Sequence, residues 1–157
     1  MASVFRSVHH PGDTPSGVVY TRALAGPIGA CTVPLMIGAT TSALLQQSVW
    51  PFLVWGLPLA VLCATGWAHF TLTRQIAELH LRAGQAALRS VWDVMRDRSA
   101  EWHALHNVKT TAAGVELSIG WAAYELRRVD WAQFPQMQAQ NEEAFRADRP
   151  TQSAPPA

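Results

Sequence analysis

Residues 23–73 contain no Asp, Glu, Lys or Arg, and Arg22 and Arg74 bound that stretch. Its only imidazole is His69. A helix needs about 20 apolar residues to cross the hydrocarbon core of a bilayer, so a block of this length has room for two crossings. The polar step Gln46-Gln47-Ser48 divides it into spans of about Ala23–Leu45 and Trp50–Leu72. Each corresponds to ~35 Å of helix. Ser48 is placed to cap the second span, and Pro51 falls in its first turn, where a missing N–H does no harm. The expected class is a membrane α-helical hairpin of two transmembrane helices, joined to a small α+β, mostly antiparallel β, domain.

Charge outside the block sets the expected orientation. Arg6 and Arg22 precede the first span, Arg74, Arg82 and Arg89 follow the second, and the connecting turn is neutral. Because cytoplasmic loops carry the excess of arginine, both termini are expected in the cytoplasm. Trp50 and Trp55 at the turn end and Trp67 near the other end hold the positions of an interfacial aromatic belt. Lys109 is the only lysine among 12 basic residues and alanine is abundant, which points to a GC-rich bacterial genome and hence to a bacterial inner membrane. Residues 1–21, broken by Pro11-Gly12 and Pro15-Ser16-Gly17, read as a flexible arm without the apolar run of a cleavable signal. A net charge of +1 with no clustered basic footprint excludes nucleic acid as a partner.

Small residues recur every four positions in both spans. Gly26, Ala30, Pro34, Gly38 and Ser42 form the row of the first, and Gly56, Ala60, Ala64 and Ala68 that of the second. In lipid, where hydrophobicity cannot drive helices together, such rows let backbones approach closely. They are the expected helix-packing interface, toward each other and toward other integral membrane subunits.

Beyond Arg74 the pattern changes. Ala77, Leu79, Leu81 and Ala83 alternate with Glu78, His80 and Arg82, and Gly84-Gln85 offers a turn into Ala86, Leu88 and Trp92. Val115, Leu117, Ile119 and Trp121 alternate with Glu116, Ser118 and Gly120. Period-two runs bounded by Gly and polar turns predict short antiparallel strands. Ile76, Leu79, Ala83, Ala87, Val91 and Val94 also fit one face of a helix, so that alternative stays open for 75–96. A β-rich module is expected over 74–137, followed over 138–157 by the end of a short helix around Val129–Phe145 and a disordered tail. About 65 residues bury little surface, so the module is expected to lean on the membrane, on its hairpin or on a partner.

Candidate chemistry is sparse. His69, in Gly66-Trp67-Ala68-His69-Phe70, is the one cofactor-binding candidate: a neutral imidazole there can ligate haem iron or a bacteriochlorophyll magnesium. Equally, it lies near enough to Arg74 to serve as an interfacial histidine. His103 and His106 would share a helix face but not a strand face, and they lack a Glu-x-x-His context, so no metal is expected. Cys31 and Cys63 read as small apolar side chains. Asp93, Asp97 and Glu101 are interleaved with Arg89, Arg96 and Arg98, the pattern of a solvated surface. There is no Gly-x-Ser-x-Gly, P-loop or Gly-x-Gly-x-x-Gly, so the chain is not expected to be an enzyme.

The run Gly114-Val-Glu-Leu-Ser-Ile-Gly-Trp-Ala-Ala-Tyr-Glu-Leu, followed by Trp131-Ala-Gln-Phe-Pro, completes a layout of arm, tight hairpin and small β domain over residues 20–137. That layout resembles bacterial membrane proteins with a pleckstrin-homology-like module. It is also similar to mitochondrial respiratory-complex assembly factors built the same way. The resemblance implies a non-enzymatic role, and the expected function is an accessory or assembly subunit that stabilises a larger respiratory or photosynthetic membrane complex. The alternatives are a pigment- or haem-binding subunit using His69, and a membrane-anchored module that senses lipid or peptide.

Overall fold

A computed structural model of the chain describes residues 2–147. It contains two long apolar helices and a six-stranded antiparallel sheet. The chain divides into two compact units, one formed by residues up to His10 together with those from Gln75 onward, the other by Pro11–Arg74.

The second unit is the hairpin. Helix α1 covers Ser16–Leu44 and α2 covers Phe52–Arg74. Helix α1 starts well before the Ala23 expected from composition, because Pro15 and Gly17 fall at its very beginning. There a missing N–H and a flexible backbone are harmless, and Val18 and Val19 both donate to the Pro15 carbonyl. The helix ends in a Schellman turn with Gln46 in the left-handed region (φ 55°). Gln47 N–H donates to the Ser42 carbonyl at 2.8 Å and Gln46 N–H to that of Ala43 at 3.1 Å. Ser48 Oγ then accepts from Trp50 N–H at 3.4 Å. The first turns of α2, Phe52–Gly56, are π-helical, with Leu57 N–H donating to the Phe52 carbonyl. The widening is explained by Pro58, which has no N–H to continue the regular ladder.

The first unit is a meander, β1 (Ser3–Arg6), β2 (Ile76–Arg82), β3 (Gln85–Ser90), β4 (His103–Thr110), β5 (Gly114–Ile119) and β6 (Ala122–Arg127), in that spatial order. A short helix α3 (Val91–Met95) follows β3, and α4 (Phe134–Ala147) follows β6. Residues 75–96 are thus strands β2 and β3 and helix α3, not one helix. Contrary to the flexible arm expected over 1–21, Ser3–Arg6 is a strand: Phe5 packs into the core opposite Leu79, while Val4 and Arg6 point outward. Four residues of alternation are too few to stand out in sequence. Residues 103–110, given no element from the sequence, are β4. A bulge between Leu105 and Asn107 resets its alternation, so Leu105 and Val108, three apart, face Ile119 and Leu117.

Strands β3 and β4 share only the pairs Gln85↔Ala104 and Ala86↔His103, so the meander falls into halves whose inner faces contribute to one core. Phe5, Leu79 and Leu81 come from one half, and Leu105, Leu117 and Leu126 from the other. Phe134, Met137 and Ala144 of α4 complete it, so the core continues past residue 137 to the end of α4. The tail expected beyond Ala147 lies outside the described residues.

Candidate functional site

On the outer face of β1–β3 a single carboxylate gathers four cationic or imidazole side chains. Alternation along β2 sends Leu79 and Leu81 inward and Glu78 and His80 outward, and the register sets Arg89 directly opposite Glu78. Glu78 is only 5% exposed. Its Oε1 accepts from His10 Nε2 at 2.9 Å and lies 3.8 Å from Arg6 Nε. Its Oε2 accepts from His80 Nε2 at 3.0 Å and from Arg89 Nη1 at 2.9 Å. An ionised carboxylate only accepts, which makes both ring nitrogens the donors. Burial pushes the Glu78 carboxyl up, but the hydrogen bonds from His80 and His10 and the charge of Arg89 outweigh it and hold the group below its ordinary value.

The cluster ties together four stretches of chain. Arg6 belongs to β1, His10 to the segment after it, Glu78 and His80 to β2 and Arg89 to β3. Beside it, Ser7 Oγ donates to the Ile76 carbonyl at 2.6 Å and Ser7 N–H to that of Ala77 at 2.8 Å. With both oxygens of Glu78 engaged and the group closed to water, this arrangement is a lock and not a poised base. Next to it, a cleft of about 300 Å³ is lined by Leu88, Arg89, Asp93, Arg98, Glu101 and Tyr124. Its charges are largely spoken for. Asp93 forms a capping box with Ser90 at the start of α3 and stands 3.7 Å from Arg98, and Glu101 stands 3.9 Å from His103. Among the described residues no three His, Cys, Asp or Glu side chains are grouped to hold a metal ion. His103 and His106 lie on strand β4, where both are exposed.

The hairpin presents a different surface. No residue of α1 is buried, and large side chains such as Met36, Leu44, Trp55 and Leu62 are exposed. Thr21, Thr32, Thr41, Thr65 and Thr71 each donate their hydroxyl to the carbonyl four residues back, at 2.7–3.0 Å. These hydroxyls are thus satisfied within the helices themselves. Of the small residues, Ala60, Ala64 and Ala68 of α2 are buried. Gly56 is tight against Leu35, and a Cβ on Gly38 would stand 2.6 Å from Phe52 Cε1. On α1 the row drifts off: Gly26 and Ala30 are exposed. A strict four-residue step winds around a 3.6-residue helix, and the half-buried stripe of α1 instead follows Leu24, Pro27, Cys31, Leu35, Gly38 and Ser42. His69 lies on the exposed side of α2, next to the buried Ala68.

Sequence reasoning missed the Glu78 lock. The local signal was only that of a polar strand face, since Glu78, His80 and Arg82 alternate with Ala77, Leu79 and Leu81. What it could not supply was His10 and Arg6 from the far side of the hairpin. Comparison with family models, with curated proteins and with solved structures finds no match.

Proposed function

We propose that the chain is a non-catalytic integral membrane subunit of a bacterial inner membrane. Its hairpin crosses the bilayer twice and packs laterally against other membrane helices of a larger complex. The observation that carries this reading is the surface of the hairpin: two helices long and apolar enough to cross, free of charge from Ala23 to Thr73 and studded with exposed large apolar side chains. A water-soluble unit would not leave so large an apolar surface uncovered. Chain connectivity supports the topology. Strands β1 and β2 are antiparallel neighbours, and the whole hairpin, Pro11–Arg74, is inserted between them. A segment that departs and returns at one place crosses an even number of times, so both termini share a side. The arginine pattern supports the cytoplasm as that side.

The lock at Glu78 fits an anchoring role, because it clamps the strand before the hairpin onto the strand after it. The test is membrane fractionation followed by native purification in mild detergent. The expected result is a protein resistant to carbonate extraction that brings other membrane polypeptides with it. The respiratory or photosynthetic nature of the assembly would be read from those polypeptides. A protein released by carbonate, or one that brings no other polypeptide, would overturn the proposal.

A further inference from the structure

The sheet ends in an open edge at β6, and the chemistry of that edge is self-complementary. The β5–β6 hairpin turns through Gly120-Trp121, with Ile119 paired to Ala122 and Gly114 to Arg127. Arg128 N–H donates to the Ala113 carbonyl at 2.9 Å, which fixes the alternation of the ladder. Residues 122, 124 and 126 bond inward to β5, and the N–H and C=O groups of Ala123, Glu125 and Arg127 point away from it. Five of the six residues of β6 are exposed, Leu126 alone being buried. At the turn Trp121 is fully exposed, at 107% of its reference area. Unprotected edges of this kind are templates for pairing.

We infer that β6 pairs with β6 of a second copy of this chain, antiparallel and centred on Tyr124. This register matches the outward groups of Ala123 with those of the partner's Glu125, so every outward N–H and C=O between them finds an acceptor or donor. It sets Ala122 opposite Leu126, puts no like charges directly opposite one another, and brings the hairpin-tip Trp121 of each copy to the Arg127 end of the other. An arginine over an indole face is a favourable pair, and the two-fold axis makes two of them. The exposed tryptophan thereby gains an occupant. Working against the pairing, the two Glu125 carboxylates approach each other diagonally across the axis. They limit the affinity and provide a signature of the register.

The pairing is tested in native membranes with the full chain, in a background where Cys31 and Cys63 are replaced by Ala. The two Tyr124 residues form a non-hydrogen-bonded pair, which puts Cα atoms about 4.5 Å apart, inside the range a disulfide accepts. Tyr124→Cys is expected to give a disulfide-linked dimer under mild oxidation, verified with two differently tagged copies. Ala122→Cys, four positions out of register with its own copy, is expected to give at least ten-fold less. Ala123→Pro removes only an outward N–H and is expected to abolish the Tyr124→Cys cross-link while β5 pairing persists. Glu125→Gln is expected to increase the cross-link. Equal cross-linking at 122 and 124, no cross-link at 124, or insensitivity to Ala123→Pro would each overturn the inference. The outcome is separable from the accessory role, which is read from foreign polypeptides and not from a second copy.

Discussion

Glu78 of β2 and Arg89 of β3 stand directly opposite in register, and their side chains close an ion pair at 2.9 Å with the carboxylate 7% and the guanidinium 15% exposed. Because Glu78 keeps His10, His80 and Arg6 without Arg89, the damaging change is loss of the carboxylate, which strands the Arg89 charge in a poorly hydrated place at a cost of about 3–5 kcal/mol. Glu78→Leu alone is therefore expected to lower the melting temperature of the sheet unit by roughly 12–40 °C, at about 4–8 °C per kcal/mol for a domain of this size. Replacing both together, Glu78→Leu with Arg89→Met, is expected to recover much of the loss. Thermal melts followed by near-ultraviolet circular dichroism would decide, and equal damage from single and double variants would refute the stranded-charge explanation.

The same carboxylate sets the acid limit of the unit. Its folded value lies below that of the unfolded chain, so the unfolded state binds the proton more readily. Stability from this group is complete above the ordinary carboxylate range and is lost as pH falls through that range and then through the lowered folded value. The unfolding midpoint is expected to hold steady from pH 7 to about 5 and to drop below that. In Glu78→Gln the steady level should be lower and the acid-side slope shallower. A variant as acid-sensitive as the parent would place the responsible group elsewhere.

Sequence legibility followed pattern length. The two apolar helices were readable because a charge-free block from Ala23 to Thr73 leaves little else for the chain to form. Strands β2, β3 and β5 were readable because their alternation persists for six residues or more, although β2 and β3 kept a helical alternative. The turn at Gly120-Trp121 that opens β6 was not, and Trp121, grouped by its spacing with Val115, Leu117 and Ile119, is fully exposed. Strand β1 was not, since Val4-Phe5-Arg6 is too short to register and its partner Leu79 lies beyond the whole hairpin. The bulge at Leu105–Asn107 hid β4, because a strand that changes phase shows neither period cleanly. The Glu78 lock needs Arg6 and His10 together with residues 78–89 from beyond the hairpin, and a window moving along a sequence never holds them together.

Asn141 lies on the inner face of α4, four residues beyond Met137, and is fully buried with neither amide atom hydrogen-bonded. An amide in that condition keeps the loss of its water contacts without recovering them. Asn141→Leu, with the same number of heavy atoms and the same branching but nothing to satisfy, is expected to stabilise the sheet unit by about 1–3 kcal/mol. Denaturant titration would show a higher midpoint at unchanged slope. A destabilised Asn141→Leu would mean that an ordered water satisfies the amide and that leucine displaces it.

The hairpin offers a paired test of close helix approach. At Gly56 an added Cβ would overlap the Leu35 side chain, whereas at Gly66, on the same helix, it would meet nothing within 4 Å. Gly56→Leu forces α1 and α2 apart or drives Leu35 off its rotamer, at a cost of about 1–3 kcal/mol. Gly66→Leu adds a good helix former on an open face and should leave the packing unchanged. In detergent, the loss of helical signal on heating is expected to move down for the first variant and to stay or rise for the second. The same pair addresses partners. If other membrane polypeptides dock on the open face instead of the α1–α2 contact, Gly66→Leu will reduce their co-purification while the hairpin itself stays intact. If only Gly56→Leu reduces it, partners recognise the packed shape of the hairpin, and the surface around Gly66 faces lipid.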